Sequence, residues 1–131
     1  MATGSTLEGQ TILLVDDDKD VREAIADALA QAGCVVTTAA NGLEALELLR
    51  RGARPHAMLV DLDMPLMDGR TFCETCDRDS ELWRIPRVLL TANPYAAFFH
   101  SRAWMVLAKP VDVSRVVESL STVLGPHRLA A

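Results

Sequence analysis

In this sequence the reactive side chains stand at the ends of apolar runs. In Met58-Leu-Val-Asp61-Leu-Asp63-Met-Pro65-Leu-Met-Asp68-Gly69, the run from Ala57 to Val60 stops on the carboxylate of Asp61 and enters a loop punctuated by Pro and Gly. A buried parallel strand that delivers a side chain to its C-terminal end has this form. Taken alone, Asp61 could equally be a cap for the following turn. Three other apolar runs end in a similar way, on Asp16-Asp17-Asp18, on Thr91-Ala92 and on Lys109-Pro110. Brought together, the carboxylates of Asp16, Asp17 and Asp61 cannot all stay ionised without a compensating cation, because like charges raise one another's pKa. Hard oxygen ligands around a small site suit Mg2+, which keeps some of its own waters and takes one or two carboxylates plus phosphate oxygens. Phosphoryl transfer is then the natural reaction. Asp61 is the candidate nucleophile, forming an aspartyl phosphate; Lys109 is a fixed positive charge, Thr91 a hydroxyl donor, and Ala92 leaves room for the group.

These side chains need elements to position them. Thr11 to Val15 reads as a first strand buried on both faces. From Lys19 the apolar spacing turns helical, with Val21, Ile25, Ala28, Leu29 and Ala32 on one face, Asp18 as N-cap and Gly33 as the stop. Cys34 to Thr38 is rich in β-branched residues and reads as a second strand with no chemistry at its tip. Asn41-Gly-Leu-Glu44 is a capping pattern ahead of a helix over Leu43 to Arg51, closed by Gly52. After the third strand, Asp68 suits the cap of a helix reaching about Arg78. Arg87 to Leu90 is a fourth strand and Ala103 to Ala108 a fifth, with a short helix from Pro94 between them. Asp112 caps a last amphipathic helix that buries Val113, Val116, Val117, Leu120, Val123 and Leu124 before Gly125-Pro126. Strands alternating with helices five times predict an α/β fold, a parallel sheet with helices on both faces and the strand tips on one edge.

At 131 residues the chain is the size of one domain, large enough to bury roughly 68% of its unfolded surface without staples. Residues 1–10 are small, polar and unpatterned, as expected of a mobile leader, and residues 125–131 read as a tail. The formal net charge of −5 argues against nucleic acid or an anionic membrane as a direct partner. Three cysteines without framework spacing, no signal peptide and no long apolar run lead to the expectation of a cytoplasmic protein.

Leu14-Val15-Asp16-Asp17, Asp61 with Met64-Pro65 and Asp68-Gly69 behind it, Thr91-Ala92 and Lys109-Pro110 together resemble the receiver domain of two-component response regulators, across residues 11–124. The resemblance implies a flavodoxin-like (βα)5 domain with strand order 2-1-3-4-5. It implies that Asp61 accepts phosphate from a histidine kinase or phosphotransfer protein. It also implies that Asp17 ligates Mg2+ directly, Asp16 mainly through water, and Asp63 through its backbone carbonyl, with a cis Lys109–Pro110 bond. The chain departs from the family at Val106, where receivers carry an aromatic switch residue; Trp104, two positions earlier on the same strand face, is the nearest bulky candidate. The segment between Thr91 and Lys109 is also about one helical turn short, so the fourth helix is expected to be short or irregular and the coupling to an output unconventional.

Other features carry less. Cys73 and Cys76 fall inside the third helix near Phe72, where packing explains them better than redox or zinc chemistry. His56, His100 and His127 are scattered and form no ligand set. Tyr95-Ala-Ala-Phe98-Phe99 is either an exposed patch for a partner or homodimer, or the filling of its own short helix. The Asp63 side chain either lies near the path of attacking water or is a solvated loop carboxylate. The expected function is a stand-alone phosphoacceptor, with self-catalysed phosphotransfer and dephosphorylation and no separate enzyme activity. One alternative is a docking module that no longer uses phosphorylation. Another is an aspartate-dependent phosphohydrolase built on Asp61-x-Asp63, which would need a further acidic motif that the sequence lacks.

Overall fold

The computed structural model describes residues 7–64, 66–93 and 105–125. Its strands are β1 (Thr11–Val15), β2 (Val35–Ala39), β3 (Ala57–Asp61), β4 (Arg87–Thr91) and β5 (Met105–Ala108). Its α-helices are α1 (Lys19–Gln31), α2 (Gly42–Arg50), α3 (Gly69–Asp77) and α4 (Val113–Val123), with a 3-10 turn at Leu82–Arg84. All strand pairs are parallel and the order is β2-β1-β3-β4-β5.

Alternation along the strands divides the core between the two faces. Leu13, Val15, Met58, Val60 and Leu89 pack with Leu46 and Leu49 of α2 and Phe72 of α3. Their sequence neighbours Ile12, Leu14, Leu59, Val88 and Leu90 pack on the other side with Ile25 and Leu29 of α1 and Val116 and Leu120 of α4. β3 and β4 are buried along their whole length, which is why they read as continuous apolar runs. β2 is an edge strand, and its Val35 is 58% exposed.

The helix starts follow their caps. Asp18 Oδ1 accepts from the N–H groups of Asp20 and Val21, Asn41 Oδ1 from Glu44, Asp68 Oδ1 from Thr71, and Asp112 Oδ1 from Ser114. Each bond satisfies a donor that has no partner within the first turn. Helix α2 starts at Gly42, one residue before the expected position.

The leader is not free up to Gln10. Leu7, the one large apolar side chain between Met1 and Thr11, is fully buried in the core on the α1 and α4 side. Gly9 N–H donates to Gly33 O at 2.9 Å, and Val35 N–H to Gln10 O at 2.8 Å, so the chain is tied down before β1 begins. The helix expected between β4 and β5, Trp104, the aromatic run from Tyr95, His100 and His127 lie outside the described residues.

Candidate functional site

Parallel pairing fixes where the strand tips end. Asp16 N–H donates to Ala39 O at 3.1 Å, Leu62 N–H to Leu90 O at 2.8 Å, and Lys109 N–H to Thr91 O at 2.9 Å. The ladder hydrogen bonds therefore run to the last residues of β1, β3, β4 and β5, and the tips form one rigid edge. Asp16, Asp17 and Asp61 each bring a carboxylate oxygen within 4.8 Å of the other two. Asp16 and Asp61 are both 1% exposed, whereas Asp17 faces solvent.

Asp61 Oδ1 accepts from Lys109 Nζ at 2.7 Å and from the N–H of Asp63 at 2.9 Å. Burial pushes the Asp61 carboxyl above the usual carboxylate range, although the Lys109 and Asp63 hydrogen bonds oppose it. Asp16 is pushed up to about 6 by burial first, against the Asp18 N–H that holds its Oδ1 and with the Asp61 charge adding to the rise. Its other oxygen, Oδ2, is buried and accepts no hydrogen bond from the described residues. Burial alone would lower the Lys109 pKa, but the bond to Asp61 and the surrounding carboxylates outweigh it and raise it. Two buried carboxyls with raised pKa values and an unpartnered buried oxygen fit a hard cation, which would supply the charge that the edge lacks.

Thr91 is 2% exposed at the tip of β4, and its Oγ1 accepts from Asn93 N–H at 3.1 Å. The Asp63 carboxylate, absent from the residues that the strand-tip pattern singled out, also turns toward this tip. Its Oδ2 lies 3.2 Å from Ala92 N, 3.4 Å from Thr91 Oγ1 and 3.9 Å from Lys109 Nζ. The side chain thus contacts the β4 tip while remaining 53% exposed. Arg22 of α1 donates through Nη1 to Asp16 O at 2.7 Å and braces the β1 tip. The Lys109–Pro110 peptide is cis. Val106 is half-buried against the core on the α2 and α3 side. Cys73 and Cys76 are buried, and burial pushes their thiols up to about 12 and about 11, which keeps them protonated and unreactive.

Residues 12–121 match the family model of the response regulator receiver domain. The chain belongs to this family. A receiver is a module of two-component signalling, and its strand order is that of the flavodoxin-like fold. A putative response regulator from Chloroflexus aurantiacus superposes with a TM-score of 0.82 at 31% identity, over 89% of this chain and 98% of that one. Response regulator TrrA from Thermotoga maritima, in a complex with Mg2+-BeF, gives a TM-score of 0.76 at 25% identity, over 87% of this chain and 98% of that one. The sensor histidine kinase CheAY of Helicobacter pylori is 37% identical over 83 residues, which are 63% of this chain and 10% of that protein. The receiver spans 10% to 49% of the length of four curated relatives and 84% of a fifth. Among the described residues, no helix is long and apolar enough to cross a membrane.

Proposed function

We propose that this receiver is a Mg2+-dependent phosphoacceptor that takes a phosphoryl group onto Asp61 from a histidine kinase or phosphotransfer protein. The observation that carries this reading is the buried Asp61 carboxylate, held 2.7 Å from Lys109 and clustered with Asp16 and Asp17. Asp16, Asp17, Asp61 and the backbone carbonyl of Asp63 are the ligands proposed for the metal. Bound there, Mg2+ supplies positive charge to the oxygens of the transferring group and offsets the repulsion among the carboxylates.

In the transfer, an Asp61 oxygen attacks phosphorus and a P–O bond forms as the P–N bond to the donor imidazole breaks. The imidazole leaves as the electron pair's acceptor and holds a proton. Lys109 then shifts from the Asp61 carboxylate, whose charge the new bond consumes, to a phosphoryl oxygen. Thr91 Oγ1 and the Ala92 N–H are the donors for a second. Loss of the phosphoryl group to water returns the free carboxylate and inorganic phosphate.

The test is incubation with Mg2+ and acetyl phosphate, read by intact mass. One phosphoryl adduct that requires both Mg2+ and Asp61 is expected. Absence of an adduct, together with no binding of beryllofluoride in the presence of Mg2+, would refute the reading in favour of a docking module. The identity of the donor protein and any self-association are open to the same phosphorylated sample, through transfer assays and sedimentation.

A further inference from the structure

The three donors that the proposed mechanism assigns to phosphoryl oxygens already have an acceptor in the chain. Ala92 N–H, Thr91 Oγ1 and Lys109 Nζ all converge on one atom, Asp63 Oδ2, at 3.2, 3.4 and 3.9 Å. A carboxylate oxygen in that position is a partial substitute for a phosphoryl oxygen, since both are anionic acceptors for N–H, O–H and ammonium donors. We infer that the Asp63 carboxylate is a resident occupant of the phosphoryl-oxygen site and must swing out before the site can accept a phosphoryl group. The inference rests on the phosphoacceptor reading and concerns how that same site is held when unphosphorylated.

The geometry gives the occupant a weak hold. The contacts are long for charge-assisted hydrogen bonds, and the Asp63 side chain is 53% exposed. The Thr91 proton is not committed to it, because Asn93 O lies at the same 3.4 Å. Lys109 keeps its short contact with Asp61 at 2.7 Å, so Asp63 takes only the outer part of that charge. Meanwhile the Asp63 N–H is anchored to Asp61 Oδ1 at 2.9 Å. The backbone can therefore stay in place while the side chain rotates toward solvent. A doubly anionic phosphoryl group linked to Asp61 would compete for the same donors and repel the carboxylate, which turns phosphorylation into an exchange of one anion for another.

The test is calorimetric titration with beryllofluoride at saturating Mg2+ on the wild type, Asp63→Ala and Asp63→Asn. Asp20→Asn, an exposed acid elsewhere on the surface, controls for the change of net charge, and Asp61→Asn reports on the site as a whole. Both Asp63 variants should bind beryllofluoride about tenfold more tightly than the wild type, the scale of one charge-assisted contact no longer displaced. Asp20→Asn should change affinity less than about twofold. The Ala92 amide resonance supplies an independent readout in the free protein. It should move in both Asp63 variants, and on adding beryllofluoride all three proteins should converge on one Ala92 position. Wild-type affinity matched within twofold by both variants, or an Ala92 resonance that does not respond to either, would overturn the inference while leaving the phosphoacceptor reading intact. Failure of every protein to bind beryllofluoride would overturn both.

Discussion

Lys109 Nζ lies 2.7 Å from Asp61 Oδ1, although β5, which Lys109 directly follows, and β3, which Asp61 ends, are separated by β4. The long lysine stem spans the intervening strand, and the contact exists only because both strands end at the same edge. Its chemical consequence is tested by Lys109→Met, which keeps the stem and removes the charge. Phosphorylation of Asp61 by acetyl phosphate should slow on the order of 100-fold, as expected for a lost electrostatic contact to developing charge. Mg2+ affinity should rise, because a cation that repels the metal has gone. A variant with normal urea stability that loses Mg2+ affinity along with phosphorylation would show that Lys109 does something else.

The acidic cluster makes the metal-free receiver sensitive to pH. Asp16 titrates at about 6 in the fold against 3.8 for the free side chain. Between those values the folded protein holds a proton that the unfolded chain has released. Folding stability therefore falls as pH rises through the window, by roughly 2 to 3 kcal/mol in full. Asp61, also raised, acts in the same sense. Asp79 and Asp112, whose carboxyls are lowered by backbone N–H groups at the surface, act weakly in the opposite one. Urea midpoints without metal should be lower at about pH 7.5 than at about pH 5, and Asp16→Asn should flatten the dependence while weakening Mg2+ binding. Equal slopes in the wild type and Asp16→Asn would contradict this assignment.

Much of this arrangement was legible in the chain because the signals are local. The runs that end on Asp16, Asp61 and Thr91 are buried strands of a parallel sheet and the run that ends on Lys109 a half-buried one; their common direction puts the tips on one edge, whereas the strand order came only with the resemblance to the receiver family. The Asp and Asn caps were readable for the same reason, since each acts within three residues of its helix start. Contacts that join distant segments were not readable. The turn of Asp63 toward Ala92 depends on how two loops approach across the top of β4, and neither loop's composition encodes it. Leu7 looked like part of a polar leader because one apolar residue has no periodicity; its burial becomes visible only once α1 and α4 leave a space for it. Arg87 opened a strand in the sequence and gave no sign of being buried.

Gly69 is a point at which local sequence and the site meet. A Cβ on this residue would stand 2.6 Å from Leu62 Cα and would press on Asp61 O as well. Both obstacles are backbone, so the strain cannot be relieved by a rotamer change. Gly69→Ala should destabilise the fold by about 2 kcal/mol, within the range for overpacking. It should also slow phosphorylation more than its stability loss accounts for, because the displaced atoms carry the acceptor carboxylate. Phosphorylation at the wild-type rate in the folded fraction would show that β3 yields without moving Asp61.

Arg87 is 1% exposed at the start of β4. Its Nη1 meets Asp77 Oδ1 at 2.5 Å, while its Nη2 contacts with Leu82 O and Trp83 O are both 3.5 Å long and its Nε has no hydrogen-bond partner among the described residues. The guanidinium thus depends on one carboxylate, and that carboxylate is partly open to water, with a side-chain exposure of 22%. Removing the acid leaves a buried charge without compensation, whereas removing the charge leaves an acid that can hydrate. Asp77→Ala should cost roughly 3 kcal/mol, the lower end for breaking a buried pair. Arg87→Met, which fills similar space with apolar atoms next to Cys73 and Cys76, should cost less. The double variant should resemble Arg87→Met, because with the cation gone Asp77 no longer has a charge to satisfy. Urea denaturation of the three variants closes the cycle. A double variant as unstable as the sum of its parts would mean that the pair contributes through packing and not through charge.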